Sequence, residues 1–433
     1  MNKTSTYDYI VVGAGSAGCT LAARLTEDPK CRVLVIEAGG WDRDPLIHIP
    51  LTWAKMLIEQ THDWGYFCEP EPNVNNRKIE CARGKVIGGS SSVNAMAYVR
   101  GNRGDYDRWS ASGLPDWSYQ HVLPYFKKLE TWETSDPYRG VSGPINVQHC
   151  RYRDPLVEAF GAAGREAGFG WTNDYNSGSQ EGFSRLQMTI KNGRRCSAAS
   201  AYLRPALSRR NLEIKVNSLA NEIVFENNRA IGIQFVENKQ LAFARAEQEV
   251  ILCGGVINTP QLLMLSGIGN PQELTKIGVK TKIDLEGVGM NLQDQMSAVI
   301  LYKRKGNGPF YHHMRTDRIV TALAKNYLFG TGFASEVPGG ITAFLRTESM
   351  HRLPNIQLLL TAAPLGAWPY FRPFKEPFND GFVSRVVLLD PESRGEVKLV
   401  SSNITDKPMI KQNFLPSSKD WATLRDGLRM ARD

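Results

Sequence analysis

Residues 8–40 read DYIVVGAGSAGCTLAARLTEDPKCRVLVIEAGG, and this stretch decides the fold. The apolar run at 9–12 is typical of a strand buried on both faces. Gly13, Gly15 and Gly18 follow it with the spacing of a dinucleotide-binding turn. In such a turn the first glycine permits a tight bend, the second admits a pyrophosphate and the third lets the helix pack on the strand. The helix that follows directs its N-terminal N–H groups at the phosphates.

A carboxylate completes this unit. Glu37 ends the second strand, 19 residues after Gly18, where it accepts hydrogen bonds from both hydroxyls of an adenosine ribose. Ser16 opens the helix and belongs to the same predicted cofactor site. The predicted elements follow one another with the order and spacing of a dinucleotide-binding unit: strand, turn, helix, strand and acid. An ordinary glycine turn lacks this arrangement. NAD and FAD both carry ADP, so the unit predicts a dinucleotide without choosing between the two.

Composition narrows the class of protein. A chain of 433 residues predicts two or three domains, and 42% apolar with 22% charged residues is typical of a globular protein. The net charge of +8 is modest and forms no basic stripe with interleaved aromatic residues, so no nucleic-acid partner is expected. The cysteines and histidines show no zinc-binding spacing, so no metal site is expected.

Targeting signals are not evident. The seven cysteines are scattered and form no CxxC, a pattern that suits a reducing compartment. About seven residues precede the first strand, too few for a signal peptide. No apolar run approaches the roughly 18 residues of a membrane span. We therefore expect a cytoplasmic protein without a transmembrane segment.

Strand-like patterns recur along the chain. Alternating runs at 212–216, 220–225 and 231–236 predict a meander of strands. The run at 249–253 predicts a further buried strand, and Thr259-Pro260 predicts the start of a helix. Beyond 295, a largely antiparallel second domain is predicted from the runs 298–302, 341–345, 356–360, 383–389 and 396–400. A helix predicted over 418–432 has no cap before the chain ends, so a longer natural protein is expected.

A second glycine-rich segment, RGKVIGGSSSVNAMAYVRG, occupies residues 83–101. Its paired glycines and three serines offer closely approachable N–H and O–H donors to a phosphate or a flavin edge. Flexible linkers lack the valine, isoleucine, methionine and tyrosine that alternate with these residues. The segment therefore predicts an ordered cradle lined by backbone.

Through this segment and the glycine turn at 13–18, the sequence resembles the glucose–methanol–choline (GMC) family of FAD oxidoreductases. Residues 84–107 resemble its first signature and residues 255–269 its second. Blocks at 192–197 and 287–294 are similar to those of bacterial choline and alcohol dehydrogenases in this group. The resemblance implies an α/β fold. Its FAD-binding Rossmann-like domain spans 6–295 with interleaved substrate-domain segments, and a substrate domain on an antiparallel sheet spans 296–433 with the start of the C-terminal region.

The resemblance also implies the positions of the cofactor contacts. The pyrophosphate lies at the glycine turn, the ribose at Glu37, and the adenine against the backbone of Ala220. The second segment contacts flavin and pyrophosphate. The residues implied in that segment are Val86, Gly89, Asn94, Ala95, Met96 and Ala97.

Two departures from the family pattern matter. Some relatives link FAD covalently through a histidine just before the asparagine, but Val93 stands there, so non-covalent FAD is expected. None of the seven histidines matches the context of the family's catalytic histidine. The catalytic residue therefore stays unassigned, and its family position is expected beyond Asp433.

Three functions remain open from the sequence. The first is oxidation of a primary alcohol, with a choline-like alcohol as a candidate, to an aldehyde by hydride transfer to flavin N5. Oxygen or a quinone is the electron acceptor. The second is a lyase of the FAD-containing hydroxynitrile type, in which the flavin has no redox role. The third is a flavin-binding fragment without catalytic activity.

Overall fold

A computed structural model describes residues 5–348 and 351–433. The strands of these residues are β1 (Ser5–Val12), β2 (Val33–Ile36), β3 (Glu130–Thr131), β4 (Ile145–Asn146), β5 (Gln148–His149), β6 (Gly182–Arg185), β7 (Gln187–Met188), β8 (Ile190–Lys191), β9 (Arg194–Arg195), β10 (Leu212–Lys215), β11 (Ser218–Glu226), β12 (Arg229–Glu237), β13 (Gln240–Leu252), β14 (Ile268–Gly269), β15 (Ile283–Asp284), β16 (Met290–Leu292), β17 (Ser297–Lys303), β18 (Ile341–Leu345), β19 (Ile356–Thr361), β20 (Gly381–Leu388), β21 (Gly395–Lys398) and β22 (Met409–Lys411).

The helices lie between these strands. They are α1 (Ser16–Leu25), α2 (Pro45–His48), α3 (Trp53–Ile58), α4 (Arg103–Ala111), α5 (Tyr119–Leu129), α6 (Pro155–Glu166), α7 (Arg204–Ala206), α8 (Gly255–Leu265), α9 (Pro271–Lys276), α10 (Pro309–His313), α11 (Thr316–Phe329) and α12 (Ser418–Arg432). A π-helical turn, Ala199–Leu203, precedes α7. Short 3₁₀ turns cover Pro50–Thr52, Pro72–Val74, Gly89–Ser92, Pro115–Trp117 and Phe333–Ser335.

The main sheet has the strand order β10-β2-β1-β13-β12-β11. Strand β1 lies between β2 and β13 and is parallel to both. Val12 pairs with Ile36 on one side and Leu252 on the other, so the three strands end level at one edge. In open α/β sheets, ligands bind at such an edge, where the chain connections leave to opposite sides.

Both faces of this sheet are buried, as the apolar run at 9–12 predicts. On one face Val11, Val33 and Val35 pack with alanines of α1 and with the π-helical turn. On the opposite face Ile10, Leu34 and Ile36 pack with α8 and the meander strands. Alternation of side chains along each strand thus places one set against each layer.

The predicted meander is partly wrong. Strands β11, β12 and β13 do form an antiparallel meander. Strand β10, however, is a parallel edge strand of the main sheet, with Leu212 opposite Val33. Alternation of apolar and polar residues indicates which side chains of a strand are buried. It does not indicate whether the neighbouring strand runs parallel or antiparallel.

The helix predicted to open at Thr259-Pro260 begins earlier, at Gly255. Gly255 has φ +82°, which turns the chain out of β13 directly into α8. Pro260 lies inside this helix, where it withholds one N–H from the helical ladder. The glycine pair, rather than the Thr-Pro pair, sets the start of the helix.

A second sheet has the order β17-β20-β19-β18-β6, with antiparallel neighbours throughout. Its edge strand β6 lies far before its other four strands in the sequence. Helices α6 and α12 cover one face closely: a Cβ added at Gly161 would lie 3.0 Å from Ile341 Cδ1, and one at Gly427 would lie 2.8 Å from Val386 Cγ1.

The run at 396–400 does not join this second sheet. Its residues form β21 in a separate three-stranded sheet of order β16-β21-β22. Glu71 ties that sheet to the first half of the chain, because its carboxylate accepts the backbone N–H groups of Gln412, Asn413 and Phe414.

Candidate functional site

A cleft of about 460 Å³ opens at the level edge of β1, β2 and β13. The sequence-predicted residues Gly13, Gly15, Ser16, Glu37, Gly89 and Ala220 all line it. The structure therefore brings together residues from four separate segments of the chain. Gly18, Val86 and residues 94–97 lie outside this lining.

The three glycines of the first turn differ in their surroundings. Gly13 has φ +97°, and an added Cβ would lie 2.6 Å from Cys253 O. A Cβ at Gly18 would collide with the carbonyl oxygen of Gly13. A Cβ at Gly15 would instead meet only Gly89 Cα, at 4.0 Å. The fold thus needs glycine at 13 and 18, whereas at 15 the absent side chain leaves open space in the cleft.

The N-terminus of helix α1 faces this open space. Gly15 is its N-cap and supplies no side-chain hydrogen bond to the first turn. Ser16 and Ala17 line the cleft at the same end. The N–H groups of a first helical turn have no partner within the helix, and the helix dipole adds partial positive charge there. This end of α1 is suited to bind an anion such as a pyrophosphate.

Glu37 is the sole acid among the described residues that line the cleft. The Ala14 N–H donates to its Oε2 (2.7 Å) and the Gly39 N–H to its Oε1 (2.8 Å). These bonds fix the carboxylate and leave each oxygen a further lone pair for a ribose hydroxyl. Burial raises the pKa of Glu37, and the two backbone hydrogen bonds partly oppose this rise.

The second glycine-rich segment closes the opposite wall. The Gly88 N–H donates to the carbonyl of Ala14 (2.7 Å). Gly89 has φ +53°, and an added Cβ would lie only 2.7 Å from Gly15 Cα. The two glycine loops therefore pack backbone against backbone, which makes a narrow cradle that a Cβ at Gly89 would force apart.

Residues 94–97 and Val86 form a supporting layer beside the cleft. Val86 is fully buried with Ile47 and Met56. Asn94 Oδ1 accepts the Met96 N–H (3.0 Å), and Met96 adopts φ +61°. Asn94 and Ala97 are exposed, whereas Met96 is buried in the core.

Arg195 holds this layer, and no role was predicted for it from the sequence. Its Nη1 donates to Asn94 O (2.7 Å) and Asn94 Oδ1 (2.8 Å), and its Nε donates to Ile47 O (2.8 Å). Burial lowers the pKa of Arg195 to about 9, and no carboxylate lies in ion-pair distance among the described residues. The signal that points to Arg195 is its place in the block 192–197, which resembles the family.

The wall from β13 and α8 was also missed. Cys253, Gly254, Gly255 and Val256 line the cleft beside Gly13. The sequence shows a buried strand that ends in two glycines, but only the parallel pairing of β13 with β1 places that end here. The turn after β10 likewise places Ser218 in the lining of the cleft. The Ser218 N–H donates to Glu37 O (2.8 Å).

Among the described residues, the histidines form no metal centre. Among residues 5–348 and 351–433, no group of three or more His, Cys, Asp or Glu is arranged to hold a metal ion. The pair His312-His313 lies in α10, in neither a strand nor a loop. His313 stacks on Phe333 at 3.9 Å between ring centres, which is a packing role.

The residues present fit an ADP-containing dinucleotide. The cradle is lined by backbone where a Cβ would fill the space, a free helix N-terminus faces it, and a fixed carboxylate stands at the end of β2. Pyrophosphate and ribose require these three groups in this order.

Comparison with known proteins places the chain in a family. Residues 7–297 match the family model described as GMC oxidoreductase. An oxygen-dependent choline dehydrogenase from Brucella anthropi is 40% identical, over 98% of this chain and 77% of that protein. The one from Rhizobium rhizogenes is 39% identical with the same coverage of each.

Solved structures agree. Pyridoxine 4-oxidase from Mesorbium loti has a TM-score of 0.86 at 30% identity, covering 98% of this chain and 80% of that one. A variant formate oxidase from Aspergillus oryzae RIB40, studied for modification of its FAD, has a TM-score of 0.87 at 25% identity, covering 100% and 81%. These relatives are dehydrogenases and oxidases, so they give no support to the lyase alternative. The chain belongs to the GMC oxidoreductase family, a group of FAD-dependent oxidoreductases.

Proposed function

We propose that this protein binds FAD without a covalent link and oxidises the CH–OH group of a primary alcohol to an aldehyde. The observation that carries the proposal is the packing of Gly15 against Gly89 at the N-terminus of α1. It leaves a backbone-lined space in which a pyrophosphate can approach the N–H groups of the first turn of α1. Membership of the GMC family supports FAD over NAD as the dinucleotide.

Each part of the cofactor has residues suited to hold it. The turn Gly13–Ser16 binds the pyrophosphate, with Gly18 packing α1 on β1 beneath it. Glu37 binds the adenosine ribose, and the backbone at Ala220 contacts adenine. The flavin lies toward Val86 and residues 94–97, the layer that Arg195 holds in place.

Non-covalent binding follows from the residues near the flavin layer. Val93 packs against the cluster of Ile47, Met56 and Val86 and offers no atom that can form a bond to a flavin. Cys253 lines the cleft, but burial raises the pKa of its thiol, so the reactive thiolate is scarce.

The proposed chemistry divides between cofactor and protein. When bound, FAD supplies the hydride-accepting centre. This chain orients the cofactor through the backbone-lined cradle. No described residue is assigned as the base that takes the hydroxyl proton. The names of the sequence relatives support choline as a substrate and oxygen as an electron acceptor, with a quinone the other candidate acceptor.

The cellular location is proposed from the state of the cysteines. All seven cysteines are free, which suits a reducing compartment, and we place the protein in the cytoplasm. Within residues 5–348 and 351–433, no helix combines the length and apolar character that crossing a bilayer requires. The small-molecule alcohol and the electron acceptor are the proposed partners, and no nucleic acid is among them.

Anaerobic titration of the FAD-loaded chain tests this function. Choline and a panel of other primary alcohols are added, and loss of the flavin absorption is followed. We expect bleaching by at least one alcohol, with the matching aldehyde released. Bound flavin that no alcohol bleaches would contradict the activity and favour the flavin-binding fragment.

A further inference from the structure

A recess of about 530 Å³ lies away from the cofactor cleft and shares no lining residue with it. Hairpin β8–β9, the segment around α7 and the C-terminal end of α11 enclose it. Its lining is basic. The bases are His48, Lys191, Arg194, Arg195 and Arg204, and no Asp or Glu appears among the described residues that line it.

Three of these cations have no acid to neutralise them. Among the described residues, no carboxylate lies within ion-pair distance of Lys191, Arg194 or Arg195. Arg204 is the exception, because its Nη2 lies 2.9 Å from the buried Asp42 Oδ2. Arg195 is almost fully buried, and its Nη2 has no hydrogen-bond partner. A concave, uncompensated cluster of this kind attracts anions.

The rim of the recess is apolar. Tyr327, Leu328 and Phe329 end α11 and line the recess, and they are 53%, 63% and 72% exposed. Large side chains so exposed in a contiguous group are typical of a binding surface rather than of a solvated helix end. Gly330 fixes their position, because a Cβ there would collide with the carbonyl oxygen of Asn192 in the β8–β9 turn.

We propose that this recess binds a phosphate-bearing amphiphile. The phosphate lies among Lys191, Arg194 and Arg204, and the apolar part lies against Leu328 and Phe329. Guanidinium groups bind phosphate oxygens through paired N–H donors, which suits the two arginines Arg194 and Arg204 that line the recess. The ligand chemistry is shared by the headgroup of an anionic lipid and by a soluble phosphate ester with an apolar tail.

Binding assays with three probes separate these sources. The FAD-loaded chain is tested with phosphatidylglycerol vesicles, with a monomeric short-chain phosphatidylglycerol, and with inorganic phosphate. Binding to the vesicles and to the short-chain form supports a lipid headgroup. Binding to the short-chain form alone supports a soluble ester. Binding to neither overturns the proposal, as does phosphate binding as tight as that of the short-chain form.

Charge reversal tests the cationic half of the site. The double variant Lys191→Glu with Arg194→Glu should weaken binding of the amphiphile at least tenfold. Lys280→Glu with Lys305→Glu makes the same change in net charge at exposed lysines elsewhere. Equal loss in both double variants would mean unspecific attraction to a basic protein, and would overturn the site.

A second pair tests the apolar half. Phe329→Ser should weaken binding of the short-chain amphiphile severalfold and leave phosphate binding unchanged. Phe374→Ser is the matched control, because Phe374 is 85% exposed in a turn elsewhere in the chain. No effect of Phe329→Ser would overturn the apolar half. Flavin absorption measured in every variant reports the cofactor cleft independently of these results.

Discussion

At the scale of single residues, two glycines of the same turn serve different ends. A Cβ at Gly18 would collide with the backbone of Gly13, whereas a Cβ at Gly15 has open space. We expect Gly18→Ala to destabilise the chain by about 1–3 kcal/mol, the usual cost of overpacking. Gly15→Ala should keep the wild-type stability without cofactor yet lower FAD affinity at least tenfold. Urea unfolding measures the stability of each variant, and FAD titration measures its affinity. Equal effects of the two substitutions on both quantities would contradict the different roles of Gly15 and Gly18.

Arg195 holds the layer of residues 94–97 that we propose contacts the flavin. Arg195→Met leaves the carbonyls of Asn94 and Ile47 without their donor, and the buried carbonyl of Ile47, left unpaired, costs about 1–3 kcal/mol. We expect lower FAD retention and a loss of stability of about 1–3 kcal/mol. Arg195→Lys, which keeps the charge without the planar donor geometry, should restore part of both. Arg153→Met, at an exposed position, is the control. Wild-type FAD retention in Arg195→Met would rule out this role.

The carboxyl of Glu37 makes cofactor binding depend on pH. Burial raises its pKa, so it takes up a proton at a higher pH than an exposed glutamate. In the chain without FAD, the stability linked to this raised pKa is present below the ordinary pKa and is lost as the pH rises through the raised value. FAD binding has the opposite dependence, because the ribose hydroxyls need the ionised carboxylate. FAD affinity should therefore fall as the solution is made acidic. In Glu37→Gln it should be weaker and lack this dependence.

At the scale of elements, the packing of the two glycine loops makes the cradle. Gly89→Ala forces a Cβ to within 2.7 Å of Gly15 Cα and strains a residue at φ +53°. Gly278→Ala carries a similar strain at φ +77° with no neighbour within 4 Å. We expect both to lose about 1 kcal/mol from backbone strain, while Gly89→Ala alone loses FAD. FAD retained in Gly89→Ala would show that the loops need not touch.

The sequence predicted the positions of helices, strands and turns better than it predicted which strands pair with one another. The glycine turn, Glu37 and the helix Ser418–Arg432 were placed correctly because local residues determine them. The parallel pairing of β10 was not, since it depends on strands distant in the chain. The start of α8 was not either, because the turn at Gly255, rather than the Thr-Pro pair, begins the helix. For the same reason the walls from Cys253 and Ser218 were missed. Arg195 was missed because a buried arginine without an acid has no sequence pattern of its own.

At the scale of the whole molecule, the cleft joins segments that lie far apart in the chain. A ligand that binds only the folded chain stabilises it, by about 2.7 kcal/mol at a concentration one hundred times Kd. We expect FAD to raise the melting temperature, and ADP to do so to a smaller extent because it fills only the adenosine end. Thermal melts with each ligand check this. A shift with FAD that Gly15→Ala retains in full would place the cofactor elsewhere.

The visible absorption of the purified chain, before and after acid precipitation, tests the central claim most directly. We predict flavin bands from the chain as purified or after incubation with FAD, at one flavin per chain, and their complete release into the acid supernatant. Bands that stay with the precipitated protein would contradict non-covalent binding and the inference from Val93. A chain that takes up no flavin would contradict the assignment of the cleft to FAD.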